Sequence, residues 1–252
     1  MPSAFAPLPR EVERTELLDH PGAPRAELAE SLADIARLNR LGPTRSILAA
    51  IEPFFERFDR DWRQGQPGGP GPLCILDVGT GSADIPVAIA RWARRRDRRV
   101  SILALDVQPD VIACAAAASR GFPEVRLVAG DALRPPVRAE GVDVAICSLT
   151  LHHLPEDAVA TLLGLLASVA RLGFVVSDLR RGRFAYAAVW LVTRAISRNR
   201  LTRHDGPLSV RRAYTRAELA RLSARAGLSA MRWYPGPAFR ILGVYARPRE
   251  SS

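Results

Sequence analysis

The sequence predicts an open α/β fold, and three observations carry that reading. A short apolar strand at 75–78 runs straight into a glycine turn, Gly79-Thr80-Gly81, and then into helix signals at Ile85, Val87, Ala88, Ile89, Ala90 and Trp92. Three further apolar strands, at 100–105, 125–129 and 142–147, each end in a small or polar cluster. Ligands bind outside the carboxyl ends of such sheets. Composition agrees, since 252 residues with 48% hydrophobic content suit one sizeable α/β domain with appendages.

Gly79 and Gly81 let the backbone turn tightly and approach a ligand without interference from a Cβ. The turn offers N–H groups at the positive end of the helix that follows. Ala83 stands where the dinucleotide fingerprint has its third glycine. The second strand ends at Asp106, near the position where an open α/β sheet sets a carboxylate on ribose hydroxyls, so a cofactor carrying a nucleoside fits. The third ends in Gly130-Asp131-Ala132, the fourth in Ser148-Leu149-Thr150-Leu151-His152-His153-Leu154. Each aspartate alone also reads as a turn former or helix cap. Such clusters at successive strand ends are a poor match to chance.

Asp-Val-Gly-Thr-Gly at 77–81, Leu-Asp at 105–106, Gly-Asp-Ala at 130–132 and Leu-His-His-Leu at 151–154 resemble the class I S-adenosylmethionine-dependent methyltransferases. The match is to the branch with small-molecule and quinone-type enzymes. The resemblance implies a Rossmann-like, seven-stranded, mostly parallel sheet with helices on both faces and one antiparallel strand near the C-terminus. It implies S-adenosyl-L-methionine as cofactor, with Asp77, Gly79 and Gly81 at the methionine portion and Asp106 at the ribose. Asp131 and Ala132 would lie against the adenine and Ser148 near the sulfonium, with Thr80 and Val107 also among the cofactor-binding residues. A nicotinamide-dependent dehydrogenase is the rival for a glycine turn plus ribose carboxylate. The Asp-Ala pair and the His-His segment favour the methyl donor.

The formal charge of +10 invites a nucleic-acid partner, but all 36 basic residues are arginine and they are scattered. With abundant alanine, that looks like coding bias, and no stacking motif or RNA-binding module accompanies it. No nucleic-acid partner is expected. No run of 18 apolar residues is present and the N-terminus lacks signal-peptide order. Cys74, Cys114 and Cys147 are widely spaced and read as thiols in a reducing compartment, so a cytoplasmic location is expected.

Residues 1–71 read as an N-terminal arm and cap helices, and 72–252 as the cofactor-binding domain. The arm, to about residue 24, is rich in proline and charge. Leu28, Leu32, Ile35 and Leu38 predict a helix over 25–40, and a second runs from about 44 to 58. These helices either cover an acceptor pocket or simply pack on the sheet. A glycine- and proline-rich linker, 64–72, leads into the first strand. The fifth strand, 174–178, ends at Asp178, expected to face the acceptor. An insertion over about 180–214 follows as a lid. Its apolar stretch 184–197 is too short to span a bilayer and reads as a lid or dimer contact, a wall for an aromatic or prenylated acceptor, or a peripheral membrane contact. Arg203-His204-Asp205-Gly206-Pro207 is expected in a loop, ahead of a helix over 215–226 and two final strands at 228–234 and 239–246. This loop segment, with Ala213-Tyr214-Thr215 beyond it, loosely resembles bacterial enzymes that methylate phenolic or polyketide-type acceptors.

Methyl transfer from a sulfonium asks the protein mainly to align the nucleophile and exclude water. A phenol, with a pKa of about 10, gains from a positioned base, and histidine is the natural one near neutral pH. His20 lies in the arm and reads as a surface residue. Of His152 and His153, one is expected to point into the site while the other caps the helix after Pro155. His204 beside Asp205 forms a second candidate. The expected catalytic set is His153 or His204 as base with Asp178 orienting the acceptor. Asp178, His204 and Asp205 are the only metal candidates read here and their spacing is unconvincing, so no metal is expected. The chain thus reads as a methyltransferase acting on a hydroxyl of a small aromatic, quinol or polyketide-type acceptor. Carbon methylation of a quinone precursor is the nearest variant, and RNA methylation or cofactor binding without transfer are the others.

Overall fold

The computed structural model describes residues 8–20, 22–63 and 71–248. Most of the predicted linker at 64–72, and the first residues of the arm, lie outside them.

The strands are β1 (Leu73–Val78), β2 (Val100–Asp106), β3 (Val125–Ala129), β4 (Val142–Ser148), β5 (Ala170–Leu179), β6 (Arg232–Pro235) and β7 (Arg240–Ala246). They form one seven-stranded sheet in the order β3-β2-β1-β4-β5-β7-β6. The pairs among β1–β5 are all parallel, and β7 runs antiparallel between β5 and β6. The chain order reverses between β1 and β4, which opens the ligand crevice of a doubly wound sheet at their carboxyl ends.

The helices are α1 (Arg25–Arg40), α2 (Pro43–Arg63), α3 (Asp84–Arg94), α4 (Pro109–Ser119), α5 (Glu156–Val169), α6 (Arg183–Ile196), α7 (Arg200–Arg212) and α8 (Arg216–Arg225). Alternation along the strands divides the core between the two faces of the sheet. Leu76, Val78, Cys147 and Val176 pack with Leu162 and Leu166 of α5 and Leu219 and Leu222 of α8. Ile75, Ile102, Val144 and Val175 pack with Phe54 and Phe55 of α2 and Ile89 and Trp92 of α3. Of the two N-terminal helices, α2 therefore packs on the sheet. The first, α1, carries Asn39, which donates to Asp84 at the start of α3 and accepts from the buried guanidinium of Arg240 on β7.

One segment departs from expectation. Residues 203–207 are not a loop but lie inside α7, despite Gly206 and Pro207. Tertiary contacts override the local turn chemistry. Asn199 caps the helix by accepting from Leu201 and Thr202 N–H, and Thr202 donates to the Asp34 carboxylate of α1 at 3.0 Å. Asp205 accepts the backbone N–H of Leu17 and Leu18 at 2.8 and 2.9 Å. Gly206 is needed because α6 crosses there: a Cβ would meet Thr193 Cγ2 at 2.7 Å and Val189 Cγ1 at 3.3 Å. Thr193 is buried and cannot swing away.

Gly206→Ala is accordingly expected to destabilise the protein by about 1–3 kcal/mol, although alanine is the better helix former. Thr193→Ser removes the offending methyl and keeps the hydroxyl, so adding it should recover most of the loss. Denaturant midpoints of the two single variants and the double variant check this.

Candidate functional site

The glycine turn after β1 is shaped by constraints that a side chain would break. Gly79 and Thr80 N–H both donate to Leu105 O on β2, at 2.8 and 2.9 Å. Gly79 has φ +69°, and a Cβ there would lie 2.2 Å from Thr150 Oγ1. Gly81 has φ +54°, and its N–H donates to Asp106 Oδ2 at 3.0 Å. Ala83 is also left-handed, at φ 58°, and fully buried, so alanine here holds the conformation that favours glycine.

Three carboxylates surround this turn. Burial pushes the Asp77 carboxyl up to about 7, with the Thr80 hydroxyl opposing and Asp84 and Asp106 adding to the shift. Burial also raises Asp106, against the N–H groups of Gln108 and Gly81. An anionic lining that resists holding its full charge is matched by a cationic ligand. A sulfonium with an α-ammonium group meets that requirement, and the side-chain-free cradle at Gly79 lets the ligand approach the backbone. Val107, just past Asp106, is exposed and apolar. Asp131 is exposed and accepts Leu133 N–H at 2.8 Å, while Ala132 and Ser148 are half-buried at the ends of β3 and β4. The predicted cofactor residues thus lie along the carboxyl ends of β1 to β4. A groove of about 800 Å³ between α1, α3 and α4 reaches the turn only at Ser82 and Asp84.

A second group sits at the ends of β4 and β5. His152 and His153 lie in the short 3-10 turn Leu151–His153 after β4, with ring centroids 4.2 Å apart. His152 is buried, and its Nδ1 is 2.6 Å from Asp178 Oδ1. His153 Nδ1 is 3.0 Å from Asp19 Oδ2. The Glu16 carboxylate is buried between them, 3.5 Å from His152 Nε2 and 3.9 Å from His153 Nε2, and accepts the Ser209 hydroxyl at 2.8 Å. Burial alone would depress the His153 imidazole. The Glu16 carboxylate and the hydrogen-bonded Asp19, with Asp178 beyond, outweigh it and push the group up to about 9. Burial would raise Asp19, but His153 holds it below its usual range.

The arm supplying Glu16 and Asp19 closes one 3-10 turn, Leu17–Asp19, and its described residues are fastened to the rest of the protein. Arg212 donates to His152 O, His153 O and Arg14 O. Arg10 reaches Leu154 O and Arg212 O and stacks on Tyr214, whose hydroxyl donates to Leu154 O. Gln108 donates to Leu18 O, which ties the arm to the helix after Asp106.

Several expectations change on this geometry. Asp178 offers no free oxygen to an acceptor: besides His152, it takes the N–H groups of Leu151 and Leu179 at 2.7 and 2.6 Å, because the turn after β4 folds over it. Burial would raise it, but His152, the Leu179 N–H and Arg240 hold it below the usual carboxylate range. It orients His152. Neither histidine caps α5, whose N-cap is Pro155 with no side-chain hydrogen bond. His204 faces the arm, bonded to Asp205 at 2.7 Å and Arg14 at 3.1 Å. His20 is exposed, as expected, beside Thr15. Asp178, His204 and Asp205 do not assemble as ligands. Among the described residues the group with metal-ligand spacing is Glu16, His152 and His153, whose ligand atoms lie within 4.8 Å of one another. Sequence reasoning missed Glu16, Asp19 and Arg212. The carboxylates gain their meaning only from histidines that meet them in the fold.

Residues 75–173 match the family model described as "Methyltransferase domain". Among solved structures, a SAM-dependent methyltransferase from Aquifex aeolicus superimposes with a TM-score of 0.57 at 18% identity, over 89% of this chain and 99% of that one. Human N-acetylserotonin methyltransferase in complex with SAM gives 0.59 at 16% identity, over 90% of this chain and 57% of that one. Magnesium protoporphyrin IX methyltransferase from Synechocystis, with bound SAH, gives 0.54 at 15% identity, over 84% and 86%. Among curated proteins, no sequence matches.

Gly79→Ala is expected to weaken S-adenosylhomocysteine binding by at least about tenfold, since it adds left-handed strain to a clash with Thr150. Calorimetric titration of the two proteins measures it, and Thr150→Ala in the same background should recover the part owed to the clash.

Proposed function

We propose that this chain is a class I S-adenosylmethionine-dependent methyltransferase that methylates a hydroxyl of a small aromatic, quinol or polyketide-type acceptor, a reading supported in its coarser part by the methyltransferase-domain match over residues 75–173. The observation that carries the proposal is the histidine–carboxylate group at the ends of β4 and β5, next to the glycine turn, with a basicity close to that of a phenol. When bound, S-adenosylmethionine supplies an electrophilic methyl whose leaving group is a neutral thioether. Asp77, Gly79, Thr80 and Gly81 would hold its methionine portion, Asp106 and Val107 its ribose side, Asp131 and Ala132 its adenine, and Ser148 would border the sulfonium.

The rest falls to the protein. Asp19 holds His153 Nδ1, and Nε2, which lies 3.9 Å from the Glu16 carboxylate, would take the acceptor's proton while the electron pair stays on the acceptor oxygen. Asp178 fixes the neighbouring His152 and so the turn that carries both imidazoles. Glu16 keeps His153 basic enough to remove a phenolic proton. The arm lies over this group and keeps water from it, which alignment of oxygen and methyl requires. His204, paired with Asp205 against Arg14, helps to seat the arm rather than to move the proton. We propose a metal-free reaction.

The first test is transfer of labelled methyl to a panel of phenols, catechols, hydroquinones and amines, read by product mass spectrometry. Fragments that place the methyl on oxygen support the proposal. A carbon-methylated quinone precursor would replace it, and transfer to RNA would sink it. A base with its pKa raised to about 9 must lose its proton to act, so kcat/KM should climb with pH and level off above about 9. Glu16→Gln removes the first of the charges that raise His153 and should move that rise to lower pH. A purely structural Glu16 would lower activity without moving it. Activity should also persist in excess chelator.

A further inference from the structure

The face of α6 turned away from the protein exposes large apolar side chains. Ala185, Val189 and Thr193 turn inward against α7 and the end of β5. Phe184 and Leu191, seven residues apart on one side of the helix, are 88% and 62% exposed. Trp190 and Val192 flank them and are partly exposed as well. Scattered exposed apolar residues are ordinary, but a contiguous stripe on one helix marks an interaction surface. No described helix is long and apolar enough to cross a membrane.

The charges around the stripe select the partner. Between residues 179 and 204 there is no aspartate or glutamate, while Arg180, Arg194 and Arg198 are exposed and form no ion pair among the described residues. Arg194 instead stacks on Trp190 with its guanidinium 4.1 Å from the ring centroid. A second copy placed on this face would set arginine against arginine, with no carboxylate from residues 179–204 to answer it. An apolar strip with tryptophan and arginine at its margins matches the boundary of an anionic bilayer, where the strip enters the acyl region and the guanidinium groups stay among headgroup phosphates.

We propose that the outer face of α6 docks this protein on an anionic lipid surface. The helix begins just after β5, so the docking face lies at the same end of the sheet as Asp178 and the histidine pair. The proposal concerns attachment alone and stands whatever the acceptor is.

Co-sedimentation of the full chain with vesicles tests it, comparing phosphatidylcholine alone with a mixture containing phosphatidylglycerol. The chain should bind the mixed vesicles, bind phosphatidylcholine at least about tenfold more weakly, and be released by high salt. Phe184→Ser with Leu191→Ser should weaken binding by on the order of 100-fold, with the unfolding midpoint unchanged because both side chains are already exposed. Arg194→Gln with Arg198→Gln should lower binding to the mixed vesicles and leave that to phosphatidylcholine unaltered. Equal binding to both vesicle types, or full binding by the serine variant, would overturn the proposal. So would a wild-type dimer in sedimentation velocity that the serine variant converts to monomer, which would make the face a contact between copies.

Discussion

Glu16 is a carboxylate taken out of water, and the far end of the sheet is organised around making that tolerable. Desolvating a charge costs several kcal/mol unless opposite charge and hydrogen bonds replace the lost water. Here the replacements come from three separate elements. Ser209 of α7 donates a hydroxyl, while His152 and His153 approach from the turn after β4. None of the three is local to Glu16 in sequence, so the arm, α7 and the turn must be in place together. Removing any of them leaves the buried charge with fewer partners.

The same requirement explains the fastening of neighbouring backbone. Asp205 binds the N–H groups just beyond Glu16, and Arg212 binds the carbonyls of both histidines and of Arg14. A guanidinium with its fixed fork suits this, since a single buried cation satisfies carbonyls from two segments. On the other side, Asp178 collects two N–H groups and one imidazole, so both imidazoles are oriented by carboxylates through Nδ1 and present Nε2 to Glu16. The basicity of His153 is thus a consequence of architecture: its burial would depress it, and only the carboxylates gathered there reverse the sign.

What the sequence disclosed about this design follows the range of the interactions involved. The strands, the glycine turn and Asp106 were legible because their signals are local: apolar runs, conformations that favour glycine, a carboxylate at a strand end. Even the helix Arg216–Arg225 was, through its Thr215–Glu218 capping box. The α7 helix was not, because Asp205-Gly206-Pro207 spells a turn. Its helical state rests on Asp34 of α1, the N–H groups of the arm, and a close crossing of α6. Glu16 and Asp19 were hidden for the same reason. Their meaning depends on histidines that stand far along the chain, and no spacing rule reaches that distance. Asp178 was placed correctly at a strand end but not given its partner, since the turn that covers it is set by Leu151 and His152.

Two groups of charge stand at this end of the sheet and differ in what surrounds them. Around the glycine turn, Asp77, Asp84 and Asp106 crowd carboxylates together until burial and mutual repulsion raise Asp77 to about 7, an arrangement that is relieved by a cation and is therefore selective for one. Around Glu16, imidazoles are interleaved with carboxylates, and the result is a proton held to about 9. His153 belongs to both groups, since its charge also acts on Asp106. The two groups are therefore coupled electrostatically, and the charge held in one is set in part by the other.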